Sequence, residues 1–197
     1  TPIGKIPKTW KIVRIGDVAE PRKEIVLPNE EDPFTPYVGL EHVDSGDNRI
    51  NRFGKARDVK SAKFRFYKGD ILYGKLRPYL DKAVLSEING VCSTDFIVIK
   101  AKKSVIPSFL IWILHMKRFV NYATSTMTGT NHPRTSWSSI AKFIIGLPSP
   151  SEQLKIAENL YSVDNILLLK REKRKRLVRM KRRLMDLLLT GKVRVSV

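Results

Sequence analysis

Short apolar runs separated by polar turns fill the first hundred residues, and this spacing predicts strands rather than helices. Tyr37-Val38-Gly39-Leu40 is one such run and Asp70-Ile71-Leu72-Tyr73-Gly74-Lys75-Leu76 another, while Gly90 to Lys100 is the longest. Polar stretches with Gly and Asn lie between them, notably Asp44 to Arg57. The pattern predicts a curved, mostly antiparallel sheet with exposed loops. Pro107 then opens a helical segment reaching about Tyr122, since Pro suits a first helical turn. Nearly every face of that segment is apolar, which predicts a helix buried against the sheet. A Thr/Ser-rich loop from Ala123 to Ser139 leads to a last strand at Phe143-Ile144-Ile145. Gly146-Leu147-Pro148-Ser149-Pro150 then forms a stiff stop, because neither proline continues a ladder or a helix interior.

Beyond that stop the period changes. Ser151 is placed to cap a helix, with Glu152 favourable in its first turn. Neither Pro nor Gly follows until Gly191, a natural C-terminal stop. About 39 helical residues at ~1.5 Å each give a helix of roughly 58 Å. Ile156, Leu160, Val163 and Leu167 follow alternating steps of four and three. The same phase returns at Leu177, Leu184 and Leu188, interrupted by Lys170, Arg174 and Lys181. A helix of this length needs a second helix beside it. Nothing else in the sequence is long enough, so the expected partner is another chain.

Charge narrows the partner class. The 197 residues include 37 Lys and Arg against 19 Asp and Glu, a formal net charge of +18. Such an excess favours a polyanion, because contacts to phosphates release condensed counterions. The hydrophobic fraction of 42% is ordinary for a folded protein. Cys92, the single cysteine, excludes a disulfide framework and a multi-cysteine zinc site. The apolar run Phe109 to Leu114 is far shorter than the ~20 residues that span a bilayer. The expectation is a soluble, cytoplasmic chain.

The motifs of catalysis are missing. The sequence has no GxGxxG and no Walker A; Gly74-Lys75 runs into Leu76 and lacks the upstream glycine. Asp32-Pro33-Phe34 is similar to the Asn/Asp-Pro-Pro-aromatic motif of amino-methyltransferases, but the second proline is absent, and a plain turn is the competing reading. His42, His115 and His132 stand far apart, with no neighbouring pattern of metal ligands. His115 sits in the apolar helix and reads as a core or boundary residue. The expectation is a chain without catalytic residues, metal or cofactor of its own.

Several stretches together resemble the specificity subunits of type I restriction–modification enzymes. Ile3-Gly4-Lys5-Ile6-Pro7-Lys8-Thr9-Trp10, followed by Ile15-Gly16-Asp17, resembles the entry to their recognition domains. Gly69-Asp70-Ile71-Leu72-Tyr73-Gly74-Lys75-Leu76-Arg77-Pro78-Tyr79-Leu80 resembles the central segment, and Cys92-Ser93-Thr94-Asp95-Phe96 the strand after it. Gly129, Leu147-Pro148-Ser149-Pro150 and Glu152-Gln153 resemble the exit into the helix, and Leu188-Leu189-Thr190-Gly191-Lys192-Val193 the way that helix ends. Each piece is weak alone; their order across the whole chain is the signal. The resemblance implies an α+β recognition domain, residues 1–148, that reads one half of a bipartite site in double-stranded DNA. It implies a coupling and dimerisation helix, residues 149–197, that docks methyltransferase subunits and, through them, the restriction subunit. It further implies that methylation, cleavage and any S-adenosylmethionine belong to those separate subunits. Family members usually carry two recognition domains and two helices. This chain has one of each, which resembles a half-length form, natural or truncated. Two copies with antiparallel helices would then place two recognition domains about a two-fold axis, facing inverted half-sites.

Two loops carry the side chains suited to DNA. Arg49, Asn51, Arg52, Lys55 and Arg57 mix cations with an amide; Arg and Asn suit guanine and adenine edges, while Lys commonly holds phosphate. Thr130, Asn131, His132 and Arg134 form a second loop rich in hydrogen-bonding groups. Between them, Lys75, Arg77 and Tyr79 alternate along a strand-like segment and are expected to share one face, in backbone contact or structural support. Each group has a bland alternative, a solvated loop or a fixed turn. Along the helix, Lys170 to Arg183 holds ten cations and one acid. Adjacent like charges oppose a helix by a few tenths of a kcal/mol each, so an anionic partner is expected: spacer DNA or an acidic subunit face. The rival reading is a basic RNA-binding assembly protein.

Overall fold

Among the residues described in the computed structural model, 4–28 and 30–195, eleven short strands form three sheets where the pattern pointed to one. In chain order they are β1 (Lys11–Arg14), β2 (Ala19–Arg22), β3 (Ile25–Val26), β4 (Pro36–Val38), β5 (Gly54–Lys55), β6 (Lys63–Phe66), β7 (Ile71–Gly74), β8 (Ala83–Leu85), β9 (Gly90–Ser93), β10 (Phe96–Ala101) and β11 (Ile144–Leu147). The helices are α1 (Ile15–Val18), α2 (Pro107–Leu114), α3 (Lys117–Ser125), α4 (Trp137–Ile140) and α5 (Pro150–Leu189). One sheet runs β2-β10-β7-β8 and is antiparallel throughout; another runs β3-β6-β9-β4-β5, with β4 and β9 parallel; β1 and β11 make a two-stranded ribbon. The class is α+β and mostly antiparallel, as expected. Two units divide the chain, one up to Lys155 and one from Ile156.

The reason for separate sheets lies in β7. All four of its residues are buried, so both of its faces must be covered. Side chains alternate across a strand, and the register shows where each goes. Leu72 lies across from Val98 and Val84. These join Val38, Phe66 and Cys92 of the five-stranded sheet in one core. Tyr73 and Ile71 point the other way, and the Tyr73 ring meets Phe119 of α3 edge-on at 5.5 Å. Phe119 in turn meets Phe143 at 5.1 Å. The four-stranded sheet is thus a middle layer, with a sheet on one side and helices on the other. Burial also pushes the Cys92 thiol up, leaving it an uncharged core residue.

Glycine at position 90 is a packing requirement. A Cβ there would stand 2.6 Å from the Pro36 carbonyl oxygen and 2.8 Å from Phe66 Cζ. Gly90→Ala is expected to cost about 1–3 kcal/mol through overpacking. A urea midpoint equal to wild type would show that β4 and β9 yield more than this geometry allows.

The turn before β7 is built on a buried acid. Asp70 accepts hydrogen bonds from Arg22 Nε at 2.8 Å and the Tyr67 amide at 2.9 Å. The Arg22 guanidinium lies 4.5 Å from the Tyr67 ring centre. Its hydrogen bond to Asp70 raises its pKa above the ordinary value against the cost of desolvation. Gly69, at φ 90°, supplies the left-handed residue of the turn.

Two local expectations change. The apolar segment from Pro107 is two helices, because Met116 is extended at φ −60°, ψ 132°. His115, at that break, bonds Asp81 Oδ1 at 2.8 Å and the Ala83 carbonyl at 3.0 Å. The long helix is opened by Pro150, with Ser149 rather than Ser151 before it; the Glu152 amide lies 3.4 Å from Ser149 Oγ. Its far end behaves as read: Gly191 is left-handed at φ 68° and its amide bonds the Leu188 carbonyl at 3.2 Å.

Glu152 and Gln153 tie the first turn of α5 to the rest of the first unit. Trp10 Nε1 donates to Glu152 Oε1 at 3.1 Å. Gln153 is 0% exposed. Its Nε2 donates to the carbonyls of Ser104 (3.1 Å) and Pro148 (3.0 Å), and its Oε1 accepts from the Ile106 amide at 2.8 Å. Among the described residues, no helix is long and apolar enough to cross a membrane.

Candidate nucleic-acid interface

In the segment from Arg49 to Arg57, Asn51, Arg52, Lys55 and Arg57 are exposed and Arg49 is half-buried, and acids on either side of the segment hold it. Arg49 pairs with Leu85 in an isolated bridge. Asn51 Nδ2 donates to Asp47 at 3.1 Å, and Arg52 forms an ion pair with Asp44 at 2.5 Å. Lys55 ends β5, and Arg57 lies in a short 3-10 turn, Ala56–Asp58, with its Nε 3.8 Å from Asp58. Exposed ion pairs of this kind are worth about 0–1 kcal/mol. A phosphate or a guanine edge can therefore displace the carboxylate at little cost.

Lys75, Arg77 and Tyr79 do not share a strand face. Strand β7 ends at Gly74, Arg77 is left-handed at φ 50°, and Tyr79 lies in the 3-10 turn Pro78–Leu80. The alternation fails because Pro78 cannot donate to a ladder and opens a turn instead. The same departure creates a junction that the sequence did not suggest. The Arg77 amide bonds the Pro133 carbonyl at 2.9 Å, and the Thr135 amide bonds the Lys75 carbonyl at 3.0 Å. Leu76 and Thr128 each bridge to Arg134. The central segment and the second loop are therefore one ordered unit.

Within that unit the roles divide. Arg134 lies with Nε and NH2 each 3.0 Å from Asp95 Oδ1, and its NH1 donates to the His132 carbonyl at 3.2 Å. All three guanidinium nitrogens hold the loop in place. Gly129, left-handed at φ 92°, turns the chain so that Thr130, Asn131 and His132 stand exposed at the tip. Arg77 and Tyr79 are exposed beside them; Lys75 is half-buried, its Nζ 6.0 Å from the Phe64 ring centre.

An exposed aromatic joins these cations. Phe34 is 63% exposed, with Lys55 Nζ 5.4 Å and Arg57 Cζ 4.9 Å from its ring centre. An exposed ring flanked by cations is a surface on which a sugar or base packs. The signal was present in Asp32-Pro33-Phe34, which forms a turn: the Phe34 amide bonds Asp32 Oδ1 at 2.8 Å. Among the described residues, no three His, Cys, Asp or Glu side chains gather as metal ligands.

On α5 the apolar row faces outward. Leu160, Val163, Leu167, Leu177, Leu184 and Leu188 are all exposed, and Ile156 is half-buried. Lys170, Arg174 and Lys181 are exposed in the same row.

Comparison with known proteins gives these features a setting. A family model described as the type I restriction modification DNA specificity domain matches residues 7–179. The specificity subunit of the type I restriction enzyme EcoDI, from Escherichia coli, is 27% identical over 79% of this chain and 35% of its own length. The specificity subunit of the type I restriction enzyme MjaVIII, from Methanocaldococcus jannaschii, is 26% identical over 98% of this chain and 48% of its own. Among solved structures, the HsdS subunit from Thermoanaerobacter tengcongensis superposes with a TM-score of 0.72 at 26% identity, covering 92% of this chain and 48% of that one. The chain therefore spans half or less of the length of these relatives.

Proposed function

The chain belongs to the type I restriction modification DNA specificity family, and from that premise we propose that it reads one half of a bipartite DNA site. In this reading it is a recognition subunit, and catalysis belongs to the methyltransferase and restriction subunits it docks. The observation that carries the reading is the pairing of one recognition domain with one long helix, over about half the length of its relatives. Two copies joined through the helix supply the second half-site, and the site is then an inverted repeat around an unspecified spacer.

The loop tip of Thr130, Asn131 and His132 and the segment of Arg49, Asn51 and Arg52 are the base-reading candidates. Lys55, Arg57 and Arg77 are the phosphate candidates, with Phe34 and Tyr79 as candidate packing surfaces. Lys75 and Arg134 position the second loop. The test is to express the chain with a methyltransferase subunit of its system in a host lacking such enzymes and map the methylated adenines. A two-part palindromic motif is expected. An asymmetric motif overturns the two-copy arrangement. Binding of the purified chain to structured RNA, with no preference among duplexes, would favour the rival RNA-binding reading.

Within this frame the loop residues separate by readout. Neutralising Lys55 or Arg57 is expected to weaken binding evenly across sequences and to lower the slope of log affinity against log salt by about 1. Asn51→Ala or Asn131→Ala is expected to relax the motif at one base, with about 1–3 kcal/mol of discrimination lost. A uniform loss from Asn131→Ala would move that residue to the phosphate group.

A further inference from the structure

We propose that Glu87 reads a base: with Arg49 it takes the major-groove edge of one G·C pair, its carboxylate accepting from the cytosine amino group. The proposal rests on the half-site reading and adds to it a specificity-determining residue and the base pair it selects.

Glu87 stands on a turn that is fixed from both sides. Ser86 before it is buried, and its Oγ donates to the Ile88 carbonyl at 2.5 Å. The Ser86 amide bonds the Asp70 carbonyl at 2.9 Å, and the Ser86 carbonyl accepts from the Gly69 amide at 2.8 Å. On the far side, Asn89 Oδ1 accepts from the Lys68 amide at 2.9 Å. The exposed Glu87 side chain therefore leaves a backbone that is already placed, as precise reading of a base requires. The Arg49 segment is joined to the same turn. Arg49 bridges Leu85, and the Leu85 amide bonds the Asn48 carbonyl at 2.9 Å. Turn and segment share a cavity of about 260 Å³, with Arg49, Asn51 and Glu87 as its polar lining and Ile50, Phe53 and Ile88 among its apolar lining.

Charge singles out this carboxylate. Among the described residues of the first unit, every other Asp and Glu accepts a hydrogen bond or lies within 4.0 Å of a basic nitrogen. Glu87 does neither. Beside a polyanion an unpaired carboxylate is repelled by phosphate, so it is favourable only where it meets hydrogen-bond donors. In the major groove those donors are exocyclic amino groups, and Glu suits cytosine N4. Arg49, in the same cavity, supplies the complement, since Arg takes guanine O6 and N7. These atoms lie side by side on the edge of a single G·C pair, so one cavity answers its acceptors and its donor. The apolar wall of Ile50, Ile88 and Phe53, the last 57% exposed, lowers the local dielectric and strengthens such bonds.

The test uses the full chain with the methyltransferase subunit of its system, and a library of duplexes randomised in sequence as the probe. The wild-type half-site is expected to contain a G·C pair for which Glu87→Ala shows a preference about 5- to 150-fold lower. The other positions are expected to keep theirs. Glu87→Gln is expected to admit an A·T pair at the same position, because Gln suits adenine N6 and N7. Arg49→Lys, which loses the bidentate fork, is expected to relax that pair as well; relaxation elsewhere overturns the shared pair. Glu87 is exposed, so its variants are expected to melt with the wild type. An even rise in affinity from Glu87→Ala, with the motif unchanged, means an acid that only repels phosphate. That result overturns the inference and leaves the half-site reading standing. Relaxation of an A·T pair by Glu87→Ala overturns the cytosine assignment. A wild-type complex that selects no duplex sequence removes the half-site reading and this inference together.

Discussion

Replacing Gln153 with leucine is expected to lower the stability of the first unit by about 4 kcal/mol, although the new side chain matches the old in size. Gln153 is fully buried and answers three backbone groups, the Ile106 amide and the carbonyls of Ser104 and Pro148. Each buried group left unpaired costs about 1–3 kcal/mol, and partial relaxation keeps the sum below the maximum. For a domain of this size roughly 2–4 °C of melting temperature follows each kcal/mol, so a drop on the order of 10 °C should appear in a thermal melt. Ser149→Ala, which removes a cap at the exposed start of the same helix, should cost about 1 kcal/mol. Equal effects from the two variants would mean that the Gln153 amide is not what joins the 104–106 loop to the helix start.

Converting Leu160 and Leu184 together to glutamate should turn the proposed dimer into a monomer. Each copy loses two leucines of the apolar row and the pair loses four. At about 1.5 kcal/mol or more each, the loss is at least about 6 kcal/mol, roughly a ten-thousand-fold weaker association. Sedimentation over a range of concentrations reads this directly. The three tryptophans, Trp10, Trp112 and Trp137, all lie in the first unit, so unchanged tryptophan fluorescence would show that this unit stays folded. Binding to a duplex with two inverted half-sites should fall to the level of a single half-site. A variant that remains dimeric would move the association surface off this row.

Much of this protein was legible where a single period governs. The long helix, its stop at Gly191 and its exposed apolar row follow from spacing alone, because a solvent-facing helix is little modified by tertiary contacts. The β-rich character of the first hundred residues was legible for the same reason, and so was the burial of Phe109, Leu110 and Leu114. The three sheets were not, since strand runs of two to six residues carry no information about which strand lies beside which. Buried hydrogen bonds were equally silent. The Glu152-Gln153 and Gly69-Asp70 pairs stood out as motifs, yet their work appears only when Trp10, Ile106 and Arg22 arrive from distant segments.

The candidate interface divides along the same line. Sequence by itself determined that the chain carries a large excess of positive charge, two polar loops rich in hydrogen-bonding side chains and a helix whose apolar row is broken by cations. These are properties of composition and short-range order, and folding does not alter them. Tertiary structure alone decided which of those side chains act together. It tied Lys75 and Arg77 to the loop of Thr130 to Arg134, and it paired Arg134 with Asp95 to hold that loop. It also left Phe34 exposed between Lys55 and Arg57. Such arrangements depend on backbone hydrogen bonds between residues some sixty positions apart, such as Arg77 to Pro133, and no local pattern of residue types encodes them.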